Sequence, residues 1–197
     1  MTDQGCWRGT TVLSTERLLL RTWRADDLEP FAALNADPEV VEFLGGVAVP
    51  RAESDAIAAY ADGLWEEERL GLLAVERRSD GAFLGFCGLH RLPDWYPDDV
   101  EIAWRLAREH WGHGYATEAA RAWLDHGFGT LGLDRVISTT DRDPPNVRSI
   151  AVMRRLGMVW DHDAELAEDG VTFPAVVHSI TADRWRAQVP GRGTPAT

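Results

Sequence analysis

The segment Trp111-Gly112-His113-Gly114-Tyr115-Ala116-Thr117 constrains this chain most. It follows a strand-like run, Val100–Leu106 (VEIAWRL), and opens the clearest helical pattern, Thr117–Leu131. There Ala120, Trp123, Leu124, Phe128 and Leu131 make one apolar stripe. A β-branched run, Arg135–Thr140, comes next. Strand, glycine loop, helix and strand thus form one unit from Val100 to Asp141, which places the chain in the mixed α/β class. The two glycines remove side-chain bulk, so backbone N–H groups can converge on one anion. The helix start adds its positive end. Such a loop can cradle a pyrophosphate; the spacing alone is equally that of a turn without a ligand. There is no GxxxxGK[ST], no GxGxxG with an acidic residue downstream, and no GxSxG nucleophile elbow.

The other elements alternate around this unit. Arg17–Trp23 reads as a strand, Asp26 or Asp27 caps a helix to Leu34, and Pro38–Leu44 is a further helical turn. Arg51–Arg69 reads as a helix, and Leu72–Arg77 with Phe83–Leu89 as a hairpin pair around Ser79-Asp80-Gly81. Asn146 caps a helix running to Leu156, and Met158–His162 and Ala175–Thr181 are closing strands. The expected architecture is a mixed, mostly antiparallel sheet of about six or seven strands with about four helices. At 197 residues one domain is expected, over 15–186. A flexible segment over 1–14, in which Cys6 and Trp7 could dock, and a disordered tail over 187–197 flank it.

Composition narrows the chemistry. All 20 basic residues are arginine, so Schiff-base catalysis and a P-loop lysine are excluded. Two cysteines are too few for a disulfide framework or a Cys-rich zinc site. Cys87, within FLGFCGL, reads as buried packing. His110 and His113 form an HxxH on a predicted loop without a completing ligand, so no metal site is expected. A formal net charge of −12 argues against nucleic acid and anionic membranes as partners and suits a cationic substrate; it equally serves solubility. No run approaches the ~20 apolar residues of a membrane span, and MTDQGCWRGT lacks the plan of a signal peptide. A cytoplasmic location is expected.

The run EIAWRLAREHWGHGYATEAARAWLDHGFGTLGLDRVISTT, followed by NVRSIAVMRRLGM, resembles the GNAT superfamily of acyl-CoA N-acyltransferases. Within it, the chain is similar to the branch containing ribosomal-protein N-terminal acetyltransferases. TERLLLRTWRADDLEPFAALNADPEV and VVHSITADRW extend the likeness from about Thr15 to Trp185. The resemblance implies acetyl-CoA as cosubstrate. It places the CoA pyrophosphate on the loop Trp111, Gly112, His113, Gly114, Tyr115, Ala116 and Thr117, held by backbone amides. Trp111 stands where the superfamily has Gln or Arg, and its ring is expected to pack. The backbone of Arg105 and Leu106 is implied to pair with the pantetheine arm, and a backbone N–H near Leu106 to polarise the thioester oxygen. Asn146 and Ser149 match the branch's NxxS, which implies a role for Ser149 near the CoA sulfur; the plain alternatives are a helix cap and a solvated serine. Many family members have a leaving-group Tyr four positions after Ser149. Here that residue is Met153, which cannot donate.

Acetyl transfer to an amine needs the neutral amine, so a carboxylate must take up a proton, directly or through a water. Glu101 matches a common base position of the family; otherwise it is a carboxylate at a strand edge. Asp94, Asp98 and Asp99 could attract a cationic amine, and Pro93, Trp95, Tyr96 and Pro97 could form a lip to its pocket or simply pack. The acceptor is a protein N-terminus or a small-molecule amine. The alternative is a non-catalytic, CoA-binding regulatory module, favoured by Met153 and opposed by Glu101 and Ser149. An apolar strand edge or helix face could support a homodimer.

Overall fold

The computed structural model describes residues 7–92, 94–168 and 170–188. The chain forms two compact units, one of residues up to His90 with Ile102–Trp123, the other of Arg91–Glu101 with the residues from Leu124 on. One strand, β5 (Tyr96–Leu106), passes from the second unit into the first between Glu101 and Ile102.

In the first unit the strands are β1 (Thr11–Ser14), β2 (Leu18–Arg21), β3 (Gly71–Arg77), β4 (Phe83–Leu92, to His90) and the end of β5, in that order. The pairs β1/β2, β2/β3 and β3/β4 are antiparallel. Three helices belong here: α1 (Leu28–Ala36), α2 (Pro38–Val41) and α3 (Arg51–Glu68). A 3-10 turn, Ala25–Asp27, leads into α1, and Pro38 opens α2 behind the cap Asp37, whose side chain accepts from Glu39 N. The core joins Trp23, Phe31, Leu34, Val40, Ala58, Ala61, Leu72, Ala74 and Phe86. Trp23 meets Phe31 edge-on at 4.9 Å, and its indole N–H donates to the Leu72 carbonyl at 2.8 Å. Beside this core lies a buried ionic cluster. Arg21, 2% exposed, holds Asp27 through two N–H groups at 2.7 and 2.8 Å and Glu76 through Nε at 2.7 Å.

In the second unit the order is β5 (its first half), β6 (Arg135–Asp141), β8 (Val171–Thr181) and β7 (Val159–Glu168). β5 and β6 run parallel with Glu101 opposite Ile137. The pair β6/β8 is antiparallel from Arg135↔Thr181 to Asp141↔Ala175. β7 and β8 form a hairpin with a bulge between Trp160 and His162. The helix α4 (Tyr115–Gly129) ends here, followed by α5 (Val147–Arg155) and α6 (Ala182–Ala187). Trp185 on α6 is buried and donates to Asp125 Oδ1 at 2.9 Å.

Mixed α/β architecture and a mostly antiparallel sheet match expectation; eight strands and six α-helices among the described residues exceed it. Thr11–Ser14 is a strand paired with β2, although the segment was expected to be flexible. Four residues are too few for an alternation to stand out in the sequence. α6, six residues behind a Thr181 cap, escapes helical periodicity for the same reason. The closing strands run beyond Met158–His162 and Ala175–Thr181, through extensions in which apolar and charged residues mix and Pro174 interrupts the strand pattern. Cys6, Pro93 and the expected tail from residue 189 lie outside the described residues. No helix is long and apolar enough to cross a membrane among those described.

Candidate active site

The glycine loop lies in the first unit, between a 3-10 turn (Arg108–His110) and α4. Gly112 and Gly114 have φ of +80° and +81°. A Cβ built on Gly112 meets nothing within 4 Å, and one on Gly114 only Arg17 Nη2 at 3.7 Å. The loop is therefore open above both residues. Glu118 N bonds to the Gly114 carbonyl at 3.0 Å, which starts the α4 ladder there. The amide groups before it belong to the first turn, which an α-helix leaves without internal partners. These residues could hold the diphosphate of a nucleotide-type ligand, with free space above two glycines and first-turn amides at a helix start.

The loop is pinned by residues that the sequence motif does not contain. Glu118 accepts from Thr15 Oγ1 at 2.5 Å, Arg17 N at 3.0 Å and Arg17 Nε at 2.6 Å. Burial opposes ionisation of Glu118, but the bonds from Thr15 and Arg17 outweigh it and hold its carboxyl below the usual range. Arg17 also donates to the His113 carbonyl at 3.1 Å and lies over the Tyr115 ring at 4.8 Å. The negative charge of Glu118 beside the helix start is thus neutralised, leaving the loop able to receive an anion. Tyr115 is buried, His113 is exposed and stacks on it, and Ala116 and Thr117 are half-buried.

Trp111 packs against the aromatic core, and its indole N–H donates to the Leu106 carbonyl at 2.8 Å. It is a strut between loop and strand. Arg105 sends its side chain to Asn35 Oδ1 at 2.7 Å and over the Phe86 ring. Asn35 is fully buried and bonds Ser54 at 2.9 Å, so α1 and α3 both bear on the end of β5. Gly85, φ +134°, completes this arrangement. A Cβ there would collide with the Arg105 carbonyl oxygen and come within 2.8 Å of Leu106 Cα. The bonds of Glu118 and Asn35 span most of the first unit, and no local sequence signal marks them.

Glu101, Asn146 and Ser149 lie in the second unit. Glu101 is 7% exposed, and its Oε1 accepts from Thr139 N at 2.9 Å and Thr139 Oγ1 at 2.5 Å. Asn146 caps α5 by accepting from Ser149 N at 3.0 Å, and Ser149 sits half-buried on the first turn. Met153 is fully buried. Around the approach to β5, Asp99 pairs with Arg135 at 3.2 Å. Trp95 donates to the Ala167 carbonyl at 3.0 Å and meets Phe173 edge-on at 5.9 Å. Cys87 is buried in the first unit, which pushes its thiol up and removes it as a nucleophile. No cluster of metal-ligating side chains occurs among the described residues.

Residues 17–159 match the family model described as acetyltransferase (GNAT) domain. The uncharacterized protein YkkB of Bacillus subtilis is 34% identical over 75% of this chain and 85% of its own. The uncharacterized N-acetyltransferase YoaA of the same organism is 30% identical over 88% of this chain and 98% of its own. Among solved structures, a GNAT-family acetyltransferase from Bacillus anthracis superposes with a TM-score of 0.74 at 21% identity. That match covers 87% of this chain and 98% of the other.

Proposed function

This chain belongs to the GNAT family of acetyltransferases, and from that premise we propose that it moves an acetyl group from acetyl-CoA directly to a primary amine. The observation that carries the reading is the loop at Gly112–Thr117, open above two left-handed glycines and freed of the Glu118 charge by Arg17. Its amides hold the diphosphate of CoA, and the Arg105–Leu106 backbone pairs with the pantetheine arm. The thioester supplies the acyl group in an activated form.

The chain's own residues handle the amine and the leaving thiol. Glu101 takes up the proton that the acceptor ammonium must lose before its nitrogen can attack. A free α-amine, with a pKa of about 8, is roughly a tenth neutral at pH 7, whereas a lysine-type amine is neutral less than about once per thousand. Ser149 donates toward the departing sulfur; a thiol of pKa ~8.5 needs only modest help. No covalent enzyme intermediate is required, because holding both reactants together supplies most of the acceleration. The acceptor is a protein N-terminus or a small cationic amine, the latter favoured by the net charge of −12. The protein acts in the cytoplasm and needs no metal.

Calorimetric titration with acetyl-CoA, against free CoA and ATP, tests the first half of this reading. Micromolar binding selective over ATP is expected, and no binding overturns the loop assignment. Release of CoA thiol with a panel of amines tests the second half. Glu101→Gln is expected to depress turnover most at low pH, where neutral amine is scarcest. A parent-like rate across pH would remove Glu101 from the reaction. Acetyl-CoA binding with no turnover on any amine would instead identify a CoA-binding regulatory module.

A further inference from the structure

No residue from Trp111 to Thr117 carries a permanent positive charge, and Trp111 spends its indole N–H on the Leu106 carbonyl. A guanidinium nevertheless borders the loop, brought from another element of the same unit. Arg17, between β1 and β2, places Nη2 3.7 Å from the Cβ position over Gly114. Apart from Gly114 and its two chain neighbours, no other described residue comes within 4 Å of that point.

Three contacts hold this guanidinium in place. Nε and Nη2 each stand 2.6 Å from Glu118 Oε2, and Nη1 donates to the His113 carbonyl at 3.1 Å. Its plane lies over the Tyr115 ring at 4.8 Å. Glu118 is itself anchored by Thr15 Oγ1 and Arg17 N. A guanidinium has five N–H donors, two on each terminal nitrogen. One on Nη1 and one on Nη2 are therefore left over, and the Arg17 side chain is 46% exposed. Two such donors in a rigid fork match the oxygens of a phosphate group. The rotamer freedom of a long side chain is already lost before any ligand arrives, so little more is lost on binding. The neighbouring arginines are turned elsewhere: Arg77 to Asp80 at 2.9 and 2.6 Å, Arg78 to the Thr15 carbonyl at 2.7 Å.

We propose that Arg17 is the cationic side chain of the diphosphate site, giving its remaining Nη1 and Nη2 N–H groups to diphosphate oxygens of acetyl-CoA, with Glu118 as the positioning residue for the guanidinium. The proposal rests on the loop reading above. It gives Arg17 a second task besides cancelling the Glu118 charge. It also makes the chain selective for a donor that carries the diphosphate over a bare acyl-pantetheine.

The test titrates the full chain calorimetrically with three probes. Acetyl-CoA carries every phosphate, acetyl-dephospho-CoA keeps the diphosphate alone, and S-acetyl-pantetheine has none. Arg17→Met keeps an apolar stem over Tyr115 and removes the donors. It should bind the first two probes at least tenfold more weakly and S-acetyl-pantetheine as the parent does. Arg17→Met with Glu118→Gln removes both charges, and affinity should stay low. Recovery in that double variant would mean that Arg17 only cancels Glu118, and would overturn the proposal. Arg17→Lys keeps a charge for Glu118 without the fork and should still lose several-fold; parent-like affinity would overturn the fork. A loss confined to acetyl-CoA would move Arg17 to the 3′-phosphate, and an equal loss on S-acetyl-pantetheine would reduce it to a strut; either overturns the proposal. A parent that binds acetyl-dephospho-CoA no better than S-acetyl-pantetheine overturns the loop reading and Arg17 with it. A parent that selects the diphosphate, with an Arg17→Met variant that selects it equally, overturns Arg17 alone.

Discussion

Gly114, like Gly112, combines a left-handed backbone with open space above its α-carbon. Its φ of +81° lies where an L-residue is strained, and the space over its α-carbon is open except for Arg17 Nη2 at 3.7 Å, the space that the proposed function assigns to a diphosphate. Gly114→Val should therefore act twice. The left-handed backbone costs about 1–2 kcal/mol of stability, and the branched side chain crowds the anion. Calorimetry should show acetyl-CoA affinity falling at least tenfold, while circular dichroism stays that of the parent. Unchanged affinity would detach the loop from CoA. The loop was legible in the sequence because glycine's freedom is written into residue identity. The Glu118–Arg17–Thr15 cluster was not, because it joins residues about a hundred positions apart and its chemistry exists only after folding. Trp111 shows the same division. That its ring packs follows from its apolar bulk, but that its N–H takes the Leu106 carbonyl does not.

At the scale of elements, periodicity located every strand and helix longer than about six residues and passed over β1 and α6. It read RLLLRTW as a strand and gave no sign that Arg21 points into a buried ionic cluster. β2 and β3 and the turn into α1 are joined there by one guanidinium. Arg21→Met would leave Asp27 and Glu76 buried and missing their main counter-charge, at a cost of about 3–5 kcal/mol. Urea denaturation should show that loss, and a change below about 1 kcal/mol would mean that Arg24, 2.6 Å from Glu76, compensates. α5 offers a finer separation of structure from chemistry. Asn146→Ala removes the cap on Ser149 N and should cost ~1 kcal/mol of stability. Ser149→Ala leaves that cap in place, so it should slow turnover about tenfold with an unchanged denaturation midpoint. A parent-like rate would retire Ser149 from the leaving-group role.

For the molecule as a whole, acid sensitivity separates a buried histidine from the many surface charges. His178, on β8 in the second unit, is 5% exposed, and its Nδ1 has no hydrogen-bond partner. Burial pushes its pKa down from 6.5, and the positive charge of Arg154 adds to that. The folded state therefore binds fewer protons at this group than the unfolded chain does. Its contribution to stability is complete above the unfolded value of about 6.5 and is lost as pH falls from there through the lower folded value. His110 and His126 are shifted the same way, so the total slope belongs to several groups. The difference between the parent and His178→Leu isolates one of them. Leucine does not titrate and removes a buried nitrogen that lacks a partner, so the variant should be at least as stable as the parent below pH 6. Between the two pKa values the parent should lose up to about 1.4 kcal/mol per pH unit more than the variant. Urea midpoints at half-unit steps from pH 7.5 to 5.0 measure this directly. Parallel curves would mean that His178 reaches solvent in the folded state, and the acid response would then rest with His110 and His126.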